Sequence, residues 1–133
     1  MMIDEIYNRE TPIDLKEVEV LGIDQNSDFF RFYEQNEGVF SSENTGYRLL
    51  DITTGPESIA TQSKLVHEEF GIPSRYLVIS DYLGNGVLMY DKESSAVFNL
   101  DFEGGDKELI SGRLVPDYDS FNEFIHWYFG EKL

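Results

Sequence analysis

Residues 76–91 carry the densest apolar pattern in the chain. Tyr76–Ile79 and Val87–Tyr90 are apolar at every position and flank Gly84-Asn85-Gly86. Successive strand residues face opposite sides of a sheet, so runs apolar at both parities predict strands covered on both faces. Asn-Gly supplies two neighbouring residues that tolerate positive φ, as a type I′ turn requires. The segment reads as a hairpin set inside a sheet.

The flanking pattern alternates between helical and strand periods. Thr11-Pro12-Ile13-Asp14 reads as a helix start capped by Thr11, running toward Leu21 and stopping at Gly22, although Val18 and Val20 also fit a strand period. Phe29, Phe30, Phe32 and Tyr33 fall on one helical face between a Ser27 cap and a Gly38 stop. That aromatic stripe reads as packing against a sheet, because only Arg31 interrupts it as a base-stacking surface would need. Residues 41–46 form a polar loop, and Tyr47–Ile52 reads as a strand. A helix from about Glu57 to Phe70 places Ile59, Ser63, Val66 and Phe70 on one face, with Leu65 at its edge, and ends at Gly71 before Pro73. Ala96–Asp101 predicts a third strand, with Ala96, Phe98 and Leu100 inward and Val97, Asn99 and Asp101 on a mostly polar face. Leu109–Val115 reads as a short strand or extended segment ending at Pro116. Ser120 and Glu123 form a capping box for a last helix whose stripe is Phe121, Phe124, Ile125 and Tyr128, widened by Trp127 and closed by Gly130.

No repeat, low-complexity run or linker divides the pattern, so residues 1–133 read as one domain of α+β class. Its expected architecture is one mixed or mainly antiparallel sheet with helices packed against it. At 41% hydrophobic and 14% aromatic residues, the chain has enough apolar surface for a core without staples.

Charge changes the picture more than length does. Twenty-six acidic residues against ten basic ones give a net charge of −16, spread over both halves of the chain. Such a field repels nucleic acid and anionic membrane and attracts cationic partners, although solubility alone accounts for many acidic chains. There is no cysteine, hence no disulfide, thiolate nucleophile or thiolate metal site. The acidic start Met1-Met2-Ile3-Asp4-Glu5 lacks the apolar run of a signal peptide, and no 18-residue apolar window exists. These features point to the cytoplasm.

Catalytic patterns are sparse. His67-Glu68-Glu69 lacks the second histidine of a zinc protease, since Gly71 stands in its place. His126 is the only other histidine. Gly84-Asn85-Gly86 lacks the third glycine of a dinucleotide fingerprint, and neither a Walker loop nor G-x-S-x-G occurs. Asp101, Glu103, Asp106 and Glu108 surround Gly104-Gly105 without EF-hand spacing, which favours a solvated acidic loop over a cation site. The expectation is a non-enzyme with no cofactor and no metal.

The order of motifs resembles the SUKH superfamily, which includes the yeast cell-wall assembly regulators and many bacterial immunity proteins. An early glutamate-bearing helix ends in Leu21-Gly22-Ile23. The aromatic helix Phe29 to Tyr33 precedes Asn36-Glu37-Gly38. Tyr47-Arg48-Leu49, Leu77-Val78-Ile79-Ser80-Asp81, Gly84, Met89-Tyr90-Asp91 and Val97 follow, and Ser120-Phe121 with Phe124-Ile125 closes the series. The resemblance covers roughly residues 11–129. The chain departs from it in having Asp24-Gln25-Asn26 where Leu-Pro is common, and Glu37 between Asn36 and Gly38.

The resemblance implies an α+β domain with no common catalytic set. Its bacterial members look like immunity proteins that bind and neutralise a cognate toxin, often a nuclease. The leading expectation is therefore a protein-binding domain whose partner is a toxin with a basic surface. A regulatory interaction domain of the cell-wall assembly type is the alternative, followed by a small carboxylate- or metal-dependent hydrolase. Candidate partner-binding residues are Asp81 and Tyr82 entering the hairpin turn, Glu93 in the next turn, and Asp101, Glu103 and Asp106 at the end of the third strand. Tyr82 is the candidate aromatic anchor.

Overall fold

The computed structural model describes residues 7–52 and 55–130. Among these residues, five helices and a three-stranded antiparallel sheet make up a small α+β domain. The helices are α1 (Leu15–Val20), α2 (Asp28–Gln35), α3 (Ile59–Phe70), α4 (Gly105–Ile110) and α5 (Phe121–Tyr128). The strands are β1 (Tyr76–Val78), β2 (Gly86–Asp91) and β3 (Val97–Asp101).

The sheet order is β1-β2-β3, with Tyr76 opposite Asp91 and Gly86 opposite Asp101. The two-faced apolar run Val87–Tyr90 lies in the central strand, and all six β2 residues are buried. Single bridges extend the sheet on both sides. Leu49 pairs with Ser80 and with Phe40, and Val97 pairs with Tyr118. Tyr47–Ile52, expected as a strand, is extended but contributes only such bridges.

The hairpin turn differs from its expected type. Leu83 and Gly86 exchange both backbone hydrogen bonds, at 3.0 and 3.2 Å, so Gly84 and Asn85 are the two central residues. Gly84 has φ of +62°, whereas Asn85 is not among the residues with positive φ. Positive φ at the first central position alone is the signature of type II′, not type I′. Gly86 is needed for another reason: a Cβ there would lie 2.9 Å from the Tyr47 hydroxyl and 3.0 Å from Leu100 O. β1 stops at Val78 because the next residues turn toward the 48–50 segment. Leu50 N donates to Ile79 O and Asp81 N to Arg48 O, while the Ser80 hydroxyl takes over as acceptor for Leu88 N.

Several element ends move for identifiable reasons. Asp14, not Thr11, caps α1, accepting from Lys16 N. Thr11 N is already committed to Glu37 Oε1 and Thr11 O to Arg9. α2 keeps its Ser27 cap but ends before Gly38. Asn36 is drawn into an extended bridge with Asn8, and Arg9 N takes Gln35 O. α3 begins one residue after its Ser58 cap and ends at Gly71, with φ of +68°. Leu109 and Ile110, expected to begin an extended segment, instead close the helix α4: Asp101 Oδ1 accepts from Glu103 N and Gly105 N, reversing the chain, and buried Leu109 anchors the helix. Val97, assigned to the polar face, is buried because residues 117–118 bond across it.

The core joins sheet and helices through aromatic rings. Phe29 of α2 stacks on Tyr90 of β2 at 4.2 Å and meets Phe121 of α5 edge-on at 4.9 Å. Phe121, Phe124, Ile125 and Tyr128, the predicted α5 stripe, have no exposed surface. The Tyr128 hydroxyl lies 2.8 Å from Tyr47 O and 3.1 Å from Phe40 O, fixing the 40–47 loop to α5. α3 packs along β1, where the Ser63 hydroxyl accepts from Val78 N, and α4 packs along β3. Buried charge is paired. Arg9 donates to Asp51 Oδ1, Tyr33 O and Asn36 O. Arg75 grips both oxygens of Asp91.

Candidate functional site

The hairpin turn and the end of β3 meet at one end of the sheet. Phe102 N donates to Asn85 O at 2.9 Å, which sets Phe102 beside the turn as the chain leaves β3. Its ring stacks on Phe70 at the end of α3, with centroids 4.1 Å apart and planes 21° apart. The Tyr82 ring lies against the other partner of this ladder, 5.8 Å from Phe102. Tyr82 and the adjoining Leu83 remain 47% and 49% exposed. Three rings from three segments thus join, with Tyr82 outermost on the partly buried Phe102 and Phe70, while the neighbouring Leu83 sits over Gly46. Exposed apolar clusters framed by polar groups mark interaction surfaces.

Carboxylates frame these rings. Glu69 precedes Phe70 on α3. Burial raises the Tyr82 hydroxyl above the usual tyrosine range, and the Glu69 charge adds to the rise. Glu103 is exposed, and its Oε1 accepts from Asn85 Nδ2 at 2.7 Å, which ties its carboxylate to the turn. Asp101 is exposed too, with one oxygen committed to the backbone that opens α4.

The six candidate residues therefore separate. Tyr82, Asp101 and Glu103 gather at the turn. Asp81 lies beside them, held by Arg48 N at 2.9 Å and Arg48 Nε at 3.1 Å. Asp106 stands in the first turn of α4, its Oδ1 buried without a hydrogen-bond partner among the described residues, so it is less available to a partner than its place in the sequence implied. Glu93 belongs elsewhere. It follows β2 at the opposite end of the sheet, about 17 Å along the strand from the turn at ~3.4 Å per residue, and it pairs with Arg75. The sequence reading missed Glu69, Phe70, Leu83 and Phe102. Phe70 was assigned to the core face of α3, and a lone apolar residue between Asp101 and Glu103 has no period to reveal it.

Other features offer less chemistry. His67 Nε2 lies 2.6 Å from Tyr76 O, and His126 sits on α5, a different helix. Among the described residues no group of three or more His, Asp or Glu side chains could hold a metal ion, and no helix is long and apolar enough to cross a membrane. A groove of about 410 Å³ between α1 and α3 is lined by Val20, Leu21, Ala60, Leu77, Lys64 and Lys92, together with Glu17 and Glu68. Its charges balance, unlike those around Tyr82.

No family model, curated protein or solved structure matches the chain.

Proposed function

We propose that this chain is a non-catalytic binding protein of the cytoplasm that uses the face around Tyr82 to hold a basic protein partner. The observation that carries this reading is the half-exposed Tyr82 ring backed by the partly buried Phe102–Phe70 stack, with Glu69, Asp101 and Glu103 adjoining these rings in sequence on a chain of net charge −16. Aromatic anchors surrounded by charge supply contact energy at the centre and steering at the rim. The motif order that resembles the SUKH superfamily supports a narrower role, an immunity protein whose partner is a toxin. A nuclease toxin needs a basic surface to hold phosphate, and an acidic inhibitor complements that surface.

A photo-crosslinking residue at position 82, expressed in the native host, tests the binding face. Val20, 81% exposed on α1, serves as the control position. The expected product is a basic protein captured at 82 and not at 20. Equal capture at both positions overturns the assignment of the face. For the narrower role, deleting the gene should leave cells sensitive to sibling cells, with wild-type protein restoring growth and Tyr82→Ala restoring it poorly. Full resistance of the deletion strain overturns the immunity role.

A further inference from the structure

Resting on that reading of the face, we infer that the partner residue it anchors is an arginine, whose guanidinium lies flat on the Tyr82 ring while a carboxylate beside the ring holds its edge. The outer ring of the ladder is half exposed and backed by Phe102, itself stacked on Phe70. A planar cation can therefore settle on a rigid aromatic support. Glu69 is near enough to raise the Tyr82 hydroxyl, and Glu103 is held at the turn through one oxygen only. The second oxygen of Glu103, Oε2, makes no hydrogen bond among the described residues.

Arginine suits this arrangement better than lysine. Its guanidinium is planar, more weakly hydrated than an ammonium, and presents a fork of donors to a carboxylate while its face stacks on a ring. The same chemistry already occurs inside the protein. The Arg75 guanidinium lies 5.1 Å from the Tyr76 ring centroid while bonding Asp91 and approaching Glu93 at 3.1 Å. Every arginine of the chain, from Arg9 to Arg113, is paired with a carboxylate of its own. Among the described residues no arginine lies over the Tyr82 ring; Arg48, beside this face, is held by Asp81 and Glu57.

The test uses N-acetyl triarginine amide and N-acetyl trilysine amide, equal in charge, titrated into the full chain at low salt and followed by backbone and aromatic NMR. The expected result is shifts concentrated at Tyr82, Phe102, Glu69 and Glu103, with triarginine binding at least ~3-fold more tightly than trilysine, the margin that ring stacking adds to charge. Tyr82→Leu keeps an apolar side chain at a half-exposed position and should retain the native amide spectrum while losing the preference. Equal affinities, shifts spread over the acidic surface, or an unchanged preference in Tyr82→Leu would overturn the inference. The outcomes separate it from the binding reading. A partner crosslinked at 82 together with equal peptide affinities refutes only the arginine anchor. An arginine preference with no crosslinked partner refutes the binding reading instead.

Discussion

The rings of Phe70 and Phe102 are stacked 4.1 Å apart, joining the end of α3 to the end of β3. Tyr82 rests on the outside of this pair. The stack is thus both a structural joint and the support of the proposed face. Phe102→Ala should cost about 2–3 kcal/mol, combining lost burial with the ring pairing. Tyr82→Ala should cost less than about 1 kcal/mol, since its side chain is already half in water. Urea unfolding of the two variants checks the contrast.

Phe124 is fully buried among Tyr118, Phe121, Trp127 and Tyr128. Phe124→Ala should destabilise by about 3–5 kcal/mol, because the surrounding rings cannot collapse into the space. A loss below about 1 kcal/mol in denaturant titration would contradict the placement of α5.

The two buried tyrosine hydroxyls predict an alkaline limit. Tyr33 donates to Leu50 O, and Tyr128 lies between two carbonyls. Burial, the largest cause in both, pushes both hydroxyls well above the ordinary tyrosine value. A folded-state pKa raised above the unfolded one gives stability that is complete below about pH 10 and is lost as pH rises toward the folded value. Stability should therefore fall above pH ~10. Tyr128→Phe should cost about 1–3 kcal/mol at neutral pH by stranding buried carbonyls, and it should soften the alkaline fall.

Asp91 sets an opposite, acidic dependence. Burial works to raise its carboxyl. Hydrogen bonds from Arg75, the Ser94 hydroxyl and Glu93 N outweigh burial and hold it below the usual aspartate value. A lowered folded-state pKa gives stability that is present above about pH 4 and lost as pH falls below that through the folded value. Asp91→Asn should cost about 1–2 kcal/mol at pH 7, moderated because Arg75 is partly solvated and asparagine keeps some of the bonds. The variant should also show a shallower stability loss below pH ~4, measurable by urea titrations across pH.

Much of this architecture was legible because its signals are local. The α5 stripe, the Ser27 and Ser120 caps and the Gly71 stop depend on residues within one or two turns, and each stands where periodicity and capping place it. What escaped depends on distant partners. Nothing near Asn36 in sequence says that Asn8 and Arg9 will end α2 there. Residues 105–110 became a helix through an Asp101 turn that strand patterning does not register. The face around Tyr82 was half legible. The hairpin brought Tyr82, Asp101 and Glu103 together as strand pairing required, while Phe70 and Glu69 arrive from a helix some 30 residues upstream of Phe102 in sequence. Charge alone could not distinguish Glu93, which lies at the far end of the sheet and is occupied by Arg75.

The proposed binding face is tested most directly by the association rate of the protein crosslinked at position 82, measured against ionic strength. Glu69→Gln/Glu103→Gln is the informative variant, because Asp101 also holds the backbone that opens α4. The Debye length falls from about 30 Å at 0.01 M salt to about 8 Å at 0.15 M, so steered association should slow steeply over that range for the wild type. The double variant should associate more slowly at low salt and show a flatter dependence. An association rate and salt dependence unchanged by the double substitution would contradict the assignment of this face as the binding surface.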